Sequence, residues 1–205
     1  KNKNNDALLF IDIKPTNTMQ YQNLALDEEK SKILARVVAH LMGDGCVSKK
    51  YFAYTNKNSF LLENFEKDVL DLFGDIHITK GVYNSGTRLV QVQNKKIHVF
   101  LKSLLEDYRS FALIVPSFID NKAKQREFLR ALYDDEGCVA LRIFRKTGEI
   151  KRNLTLSSNS LKFIEEIKII LERSFSIQSN KISRYVKKWN NKEFVNYVLS
   201  ITGKD

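Results

Sequence analysis

Cysteine, proline and tryptophan are scarce in this chain of 205 residues, which contains two Cys, two Pro and one Trp. Cys46 and Cys138 form no Cys-x-x-Cys pair, so neither a zinc finger nor a disulfide framework is predicted. No apolar run approaches the roughly 18 to 20 residues that span a bilayer, and the N-terminus has neither a signal-peptide core nor a transit pattern. We therefore expect an intracellular protein with no membrane partner, in the cytoplasm of a prokaryote, with an organelle or the nucleus as alternatives.

Positive charge is abundant by contrast. The chain has 34 Lys and Arg against 24 Asp and Glu, a formal net charge of +10, and 43% hydrophobic residues, enough for a sizeable core. The excess is spread along the chain rather than gathered in one tail, which favours a folded surface that binds a polyanion such as nucleic acid. The alternative reading is a soluble surface in a Lys-rich proteome.

The chain contains an internal repeat. The stretch ILARVVAHLMGDGCV, residues 33–47, is echoed by REFLRALYDDEGCV, residues 126–139. Each is an apolar helical stretch that ends at an acid before Gly-Cys-Val, and the acids lie 136 − 44 = 92 positions apart. The echo continues with residues 54–73 and 155–175, where an Asn-Ser dipeptide follows a strand-like stretch and opens an amphipathic helix.

Each copy is therefore predicted to contain a helix, two strands, a second helix and two further strands. This order predicts an α+β protein built from duplicated αββαββ units. Apolar spacing predicts the buried face of the second helix of each copy, with Leu62, Phe65, Val69 and Leu72 in one and Leu161, Ile164, Ile167 and Leu171 in the other. The predicted organisation is an N-terminal extension over residues 1–26, a first subdomain over 27–108, a linker over 109–124 and a second subdomain over 125–205. A helix over residues 97–108 closes the first copy, whereas the second ends at Asp205, so either the chain is truncated or that copy is shorter. Within the extension, a short strand is predicted over residues 8–13.

Acids stand at the end of the first helix in both copies. Asp44 closes one helix, and Asp134, Asp135 and Glu136 crowd the end of the other. A helix C-terminus carries free carbonyl groups and partial negative charge, so a carboxylate there is unfavourable unless a cation offsets it. Mg²⁺ or Ca²⁺ would suit such a place because both prefer carboxylate and carbonyl oxygen ligands. Asp-Gly and Glu-Gly are also ordinary turn dipeptides after a helix, but their occurrence at the same step of two copies favours a function.

Small residues line the same two helices. Ala35, Ala39 and Gly43 recur every four residues on the first helix, and Ala131 matches Ala39 in the second. Because small side chains let helix backbones approach closely, we expect the two helices to cross there and to bring their terminal acids side by side. Paired carboxylates are what a multi-metal phosphodiester site needs.

These segments resemble a known family. VVAHLMGDG, residues 37–45, and LRALYDDEG, residues 129–137, look like the two signature helices of the LAGLIDADG homing endonucleases in their single-chain, two-motif form. The repeat covers about residues 27–201 of the chain. The resemblance implies that a pseudo-twofold axis relates the two units, that the motif helices form their interface, and that two antiparallel sheets form a DNA-binding saddle.

The resemblance also implies an activity. Members cut double-stranded DNA at a long asymmetric site, hydrolysing one phosphodiester per strand with Mg²⁺, whereas Ca²⁺ is expected to bind without supporting cleavage. Carried over by position, Asp44 and Glu136 are catalytic metal ligands, and the carbonyl groups of Gly43 and Asp135 are auxiliary metal ligands. A monomer is expected because one chain holds both motifs. A catalytically idle DNA-binding regulator and an RNA-splicing maturase on the same scaffold stay open as alternatives.

The family also uses a pocket of basic and polar residues around the metal site. Asn56 and Lys57 match these catalytic positions in the first copy. Aligned on the Asn-Ser dipeptides, they correspond to Ser157 and Ser158 in the second copy, where no cation replaces Lys57. Equal cleavage of the two strands is therefore not expected.

Strand alternation predicts which side chains contact DNA, because alternate residues share one face of a sheet. Phe52 and Tyr54, Val90 and Val92, Leu199 and Ile201, and Leu141 and Ile143 are expected to point inward. The residues expected to bind DNA are then Lys49, Tyr51, Thr55, Gln91, Gln93, Arg142, Arg152, Tyr185, Lys187, Asn196 and Ser200. The glutamines suit bidentate contacts to adenine.

Other polar or aromatic residues are interpreted as structural. His40 is expected to pack on the motif helix rather than bind metal, and Cys46 and Cys138 are expected to be small buried residues. Trp189 near the last hairpin fits stacking on a nucleotide and packing in the core equally well.

Overall fold

The computed structural model describes residues 26–105, 109–143, 148, 150–189 and 192–203. The chain divides into two compact units, Lys1–Leu104 and Leu105–Asp205, called unit 1 and unit 2. The strand predicted over residues 8–13 lies outside the described residues. None of the helices in the described part combines the length and the apolarity that crossing a membrane needs.

Unit 1 follows the predicted order. It contains α1 (Glu28–Met42), β1 (Gly45–Val47), β2 (Phe52–Asn56), α2 (Ser59–Phe73), β3 (Ile78–Val82), β4 (Arg88–Val92) and α3 (Lys95–Leu104). The four strands form one antiparallel sheet in the order β1-β2-β4-β3. The closing helix begins at Lys95, two residues before the predicted start, and its described part ends at Leu104.

The helices of unit 1 begin where side chains can cap them. Asp27 caps α1 by accepting the backbone N–H of Lys30 at 2.7 Å. Asn58 caps α2 in the same way through the N–H of Phe60 at 3.0 Å. These caps fix the residues at which the two helices begin.

The core of unit 1 lies between its helices and one face of its sheet. All four apolar positions predicted for α2 are buried, and so are Phe52, Tyr54, Val90 and Val92, which confirms the predicted alternation. Ala35 and Ala39 on α1 are fully buried. His40 is also buried and stacks against the rings of Tyr54 and Phe65 at centroid distances of 4.8 and 6.0 Å, as a packed histidine should.

Unit 2 repeats this arrangement. It contains α4 (Lys122–Glu136), β5 (Gly137–Ile143), β6 (Ile150–Ser158), α5 (Leu161–Phe175), β7 (Ser183–Trp189) and β8 (Lys192–Gly203). Its antiparallel sheet has the order β5-β6-β8-β7, which is that of unit 1. The α+β class and the duplicated αββαββ order are thus confirmed.

The segment predicted as a linker packs on unit 2. The Val115 N–H donates to the carboxylate of Glu166 at 2.6 Å, and the Ser160 hydroxyl donates to the carbonyl of Leu113 at 2.7 Å. Leu113 and Ile119 are buried, and α4 already begins at Lys122. The segment therefore belongs to the fold of unit 2, and the predicted subdomain boundaries stay a prediction.

Three apolar residues of unit 2 that were predicted to point inward or to lie on a buried helix face are exposed, although the inward direction of Leu141 and Ile143 is confirmed. Leu141 and Ile143 share the helix side of the sheet with buried Leu156, but they are 67% and 68% exposed. Their partners on β6, Arg152 and Ile150, are exposed as well, so inward direction at this end of the sheet does not produce burial. Leu161 is 39% exposed because it is the first residue of α5, directly after the N-cap Ser160.

Candidate metal centre and nucleic-acid interface

Asp44 is held at the junction of α1 and β1 by a glycine on either side. Gly43 ends the helix with its N–H bonded to the Ala39 carbonyl at 2.9 Å. Gly45 passes so close to α1 that a Cβ on it would lie 2.5 Å from the Leu41 Cα atom. No side chain fits in that gap, so the motif glycine fixes where the exposed Asp44 leaves the helix.

Strand β2 holds Asp44 from its other side. The Asp44 carbonyl accepts the Thr55 N–H at 3.3 Å and the Thr55 hydroxyl at 3.0 Å. The carboxylate accepts the Asn56 side-chain N–H at 3.0 Å, and Asn56 also contacts the Tyr54 hydroxyl at 3.1 Å. Asn56 therefore orients the predicted metal ligand, which agrees with its predicted position beside the site. Lys57 follows as an exposed residue between β2 and α2.

Glu136 occupies the matching place in unit 2. It is the last residue of α4, and a Cβ on the following Gly137 would lie 2.2 Å from the Tyr133 carbonyl oxygen. The same close approach thus positions the acid in both units. The Tyr133 hydroxyl is buried with no hydrogen-bond partner among the described residues, and burial raises the pKa of this phenol to about 12.

The counterparts of Asn56 and Lys57 lie one residue further along than predicted. Gly45 pairs with Tyr54 and Gly137 pairs with Leu156, so Asn56 corresponds to Ser158 and Lys57 to Asn159. The local bonds agree: Asn56 accepts the N–H of Asn58 at 2.9 Å, and Ser158 accepts that of Ser160 at 3.2 Å. The Asn-Ser dipeptides misalign the copies because Asn caps the helix in unit 1 and Ser caps it in unit 2. The counterpart of Lys57 is still uncharged.

The donors at these helix ends are all oxygens. Each unit offers one motif carboxylate, with the predicted auxiliary carbonyls of Gly43 and Asp135 directly before it. Among the residues that the structure describes, no cluster of three or more His, Cys, Asp or Glu side chains could hold a metal. One or two carboxylates with carbonyl and water oxygens suit Mg²⁺, which keeps several waters, whereas they do not suit Zn²⁺. The residues therefore fit a hard divalent cation.

The face of each sheet that is turned away from its own unit's helices is called the open face. In unit 1 the register puts Cys46, Thr55, Thr79, Leu89 and Gln91 on the open face. Of the predicted DNA contacts, Thr55 and Gln91 thus lie where alternation puts them, and both are half-buried. Lys49 and Gln93 are exposed just outside the strands, and Tyr51 is half-buried before β2.

Unit 2 has a larger open face. The register puts there the described side chains of Cys138, Ala140, Asn153, Thr155, Ser157, Ser183, Tyr185, Lys187, Phe194, Asn196, Val198, Ser200 and Thr202. Four predicted contacts belong to this set, namely Tyr185, Lys187, Asn196 and Ser200. Arg152 does not: it pairs with Leu141, so it lies on the helix side and its predicted orientation is wrong. The side chains of Arg142 and Trp189 lie outside the described residues.

Several residues of these faces were not predicted from the sequence. Cys46 and Cys138 are both exposed, not buried, because the glycine before each packs on the helix and alternation then turns the cysteine to the open face. Burial of part of the side chain raises the pKa of the Cys46 thiol. Asn153, Phe194 and Thr202 were not predicted, although their pairing positions beside Ala140, Lys187 and Asn153 put them on the same face.

Comparison with known proteins bears on this arrangement. A family model described as a LAGLIDADG-like domain matches residues 123–205. A curated protein of Methanocaldococcus jannaschii, named Replication factor C small subunit, is 24% identical over an alignment 216 residues long, which covers 89% of this chain and 11% of that protein. The chain therefore spans about a tenth of the length of the curated relative that it matches.

Solved structures share the fold. A structure of variants of the homing endonuclease I-DmoI matches with a TM-score of 0.57 at 19% identity, over 85% of this chain and 84% of that chain. I-DmoI in complex with DNA and Ca matches with a TM-score of 0.54 at 18% identity, over 85% and 84%. The N-terminal LAGLIDADG domain of WhiA matches with a TM-score of 0.51 at 12% identity, over 85% and 76%. Residues 123–205 thus match the LAGLIDADG-like domain model, and the chain, with its two motif helices and two matching sheets, shares the fold of these structures.

Proposed function

We propose that this protein is a divalent-metal-dependent, site-specific endonuclease that cuts both strands of a DNA duplex and acts as a monomer. The observation that carries the proposal is the repeated acid: Asp44 directly follows the C-cap of one motif helix, Glu136 is the last residue of the other, and each is followed by a glycine pressed against that helix. A purely binding scaffold has no use for two carboxylates at helix ends, where they are unfavourable without a cation.

Asp44 and Glu136 are the proposed ligands of Mg²⁺, one from each unit. When bound, the cation would supply positive charge at the scissile phosphate and lower the pKa of a water nucleophile. Asn56 orients the Asp44 carboxylate through their 3.0 Å hydrogen bond, so the ligand does not have to be ordered at the moment of binding.

Lys57 is the proposed cation that stabilises negative charge as it develops on the phosphate in unit 1. It is exposed, and it stands one residue after Asn56 on the chain. In unit 2 the corresponding residue is Asn159, which can donate a hydrogen bond but carries no charge. We therefore propose that the two strands are cut at unequal rates.

The open faces are the proposed DNA surface. Their described side chains include hydroxyl, amide and aromatic groups and Lys187, but no carboxylate. A surface free of carboxylates does not repel the phosphate backbone, and the net charge of +10 attracts it.

A DNA-binding regulator is the second candidate. It is favoured by Asn159, the uncharged residue that corresponds to Lys57. It is also favoured by the fold shared with the LAGLIDADG domain of WhiA, which is not named as an endonuclease. An RNA-splicing maturase on the same scaffold is the remaining alternative.

Cleavage of a randomised plasmid library in Mg²⁺ tests the proposal. The wild type should cut, and Asp44→Asn and Glu136→Gln should each abolish cutting while DNA binding in Ca²⁺ persists. Asp134→Asn is the matched control because it removes a carboxylate two residues before Glu136 to which no role is assigned. Binding without any cutting by the wild type would support the regulator, and preference for a structured intron RNA would support the maturase.

A further inference from the structure

We infer that the base pairs facing the centres of the two open faces are predominantly A·T pairs. The inference rests on the proposed function, because it names the sequence class of the DNA that the endonuclease would bind. It follows from which side chains the strand register puts together, and not from the overall charge of the protein.

Amide side chains recur on both open faces, each beside a methyl or aromatic group. Gln91 on β4 is paired with Thr79 on β3, and Asn153 on β6 is paired with Thr202 on β8. Asn196 is two residues from Phe194 on the same face of β8. Phe194 is 51% exposed, so its ring is open to a ligand.

Each of these pairs matches the two groups that an A·T pair presents in the major groove. A Gln or Asn amide forms two hydrogen bonds with the N6 and N7 atoms of adenine, and a Thr methyl or a Phe ring packs on the thymine methyl. Directly paired residues have Cβ atoms about 5 Å apart, so both can contact the same or the next base pair.

A hydrogen-bond network holds the pair of Asn153 and Thr202 in position. The Asn180 amide donates to the Thr202 hydroxyl at 2.9 Å, and that hydroxyl is 3.5 Å from the Asn153 side-chain oxygen. Since protein atoms already use the Thr202 hydroxyl, its methyl group is the part left for a base. Asn153 keeps its side-chain NH₂ for the adenine N7 atom.

Partners for guanine are few among the described side chains of the same rows. Guanine is read chiefly by Arg or Lys, which donate to its O6 and N7 atoms. Among the described side chains of the open faces, Lys187 is the one cation, and it lies next to Phe194 near the end of the β7–β8 hairpin. The register also puts Arg142, Lys151 and Lys192 on the open face of unit 2, and their side chains lie outside the described residues. The exposed Lys49 and Lys57 stand outside the strands, where they suit phosphate contacts that carry no sequence information.

Selection from a random duplex library in Ca²⁺, with the whole chain, tests the inference. The retained sequences should carry A·T pairs at most selected positions of both half-sites. Replacing thymine by uracil at those positions should then weaken binding by about 4-fold per contacted methyl. Retained sequences with G·C pairs at the selected positions would overturn the inference and leave the endonuclease proposal standing, whereas failure to retain any DNA would overturn the proposed function.

Two variants connect the preference to its residues. Gln91→Ala and Asn196→Ala should each weaken binding to the selected site by about 5- to 100-fold and relax the A·T preference at one position. Arg184→Gln is the matched control, because Arg184 neighbours Tyr185 but lies on the helix side of β7. Melting curves equal to that of the wild type exclude misfolding. An unchanged preference in both variants would overturn the assignment.

Discussion

The two units reach the same fold with opposite chemistry between their paired helices. In unit 1, Arg36 on α1 makes two hydrogen bonds of 2.8 and 2.6 Å to the buried carboxylate of Asp68 on α2. In unit 2 the corresponding residues are apolar: Phe128 lies 136 − 128 = 8 residues before its acid, as Arg36 lies 44 − 36 = 8 before Asp44. Ile170 lies ten residues after the N-cap Ser160, as Asp68 lies ten after Asn58.

The difference separates what the fold requires from what it tolerates. The fold accepts at these positions either an ion pair or two buried apolar side chains. The glycine after each acid is different in kind, because the backbone itself occupies the space that a Cβ would need. The same geometry therefore appears in both units at Gly45 and Gly137, while the residues between the helices differ.

The largest expected effect comes from breaking the ion pair. Asp68→Ala removes the buried carboxylate to which the largely buried Arg36 guanidinium makes two hydrogen bonds, so the free energy of unfolding should fall by about 4 kcal/mol. The double change Arg36→Phe with Asp68→Ile copies unit 2 and should be close to neutral or stabilising. Urea unfolding of both variants measures this. If the double variant were as unstable as the single one, the units would not be interchangeable at this contact.

The motif glycines should respond alike in both units. Gly45→Ala and Gly137→Ala each push a Cβ into the backbone of the preceding helix, and each should lower the free energy of unfolding by about 3 kcal/mol. Gly81→Ala is the control: a Cβ there would lie 3.7 Å from the nearest Leu89 side-chain atom, an ordinary contact. Thermal melting of the three variants measures whether Gly45→Ala and Gly137→Ala are less stable than Gly81→Ala. Equal stability of all three would contradict the close approach.

In catalysis, the two units should differ most at the residue before the N-cap of their second helix, which is Lys57 in unit 1 and Asn159 in unit 2. Lys57→Met removes a charge that the proposed mechanism uses, so it should slow cutting of one strand by about 100-fold. Asn159→Met at the corresponding position of unit 2 should change the other strand's rate by less than about 3-fold. A duplex labelled separately on each strand measures both rates. Equal effects of the two changes would show that the units do not contribute unequally.

Much of the similarity between the two units can be predicted from the sequence, because the repeat contains both the helix periodicity and the strand alternation. The order of elements, the Asp27 cap, the packing of His40 and the buried rows at Phe52 and Val90 follow from those patterns. They depend on neighbours along the chain, which the sequence displays directly.

What could not be predicted depends on neighbours in space. Leu141 and Ile143 have the hydrophobicity and alternation of buried residues, but no pattern within β5 indicates that this end of the sheet is exposed. The counterpart of Lys57 was misplaced by one residue because two identical Asn-Ser dipeptides use different residues as the cap. Cap choice depends on the hydrogen bond actually made, and only the register of Gly137 with Leu156 reveals it.

The smallest expected effect concerns Tyr133, whose counterpart 92 positions earlier is Leu41. Unit 1 thus fills this helix position without a polar atom, whereas the Tyr133 hydroxyl is buried with no partner among the described residues. Tyr133→Phe should therefore raise the free energy of unfolding by about 1 kcal/mol at neutral pH. Tyr185→Phe, at an exposed phenol, is the matched control and should change little.

The same variant has a pH signature. Burial raises the pKa of Tyr133 to about 12, above the ordinary value of 10.0, so below pH 10 the phenol is neutral in both the folded and the unfolded chain. As the pH rises through this window the unfolded chain loses the proton first, and the wild type should lose stability progressively up to about pH 12. Tyr133→Phe has no such proton, so its melting temperature should fall less steeply over that interval. Parallel melting profiles for the two proteins would mean that the phenol is hydrated. The hydroxyl of Tyr133 would then cost unit 2 no more stability than the apolar Leu41 costs unit 1 at the same helix position.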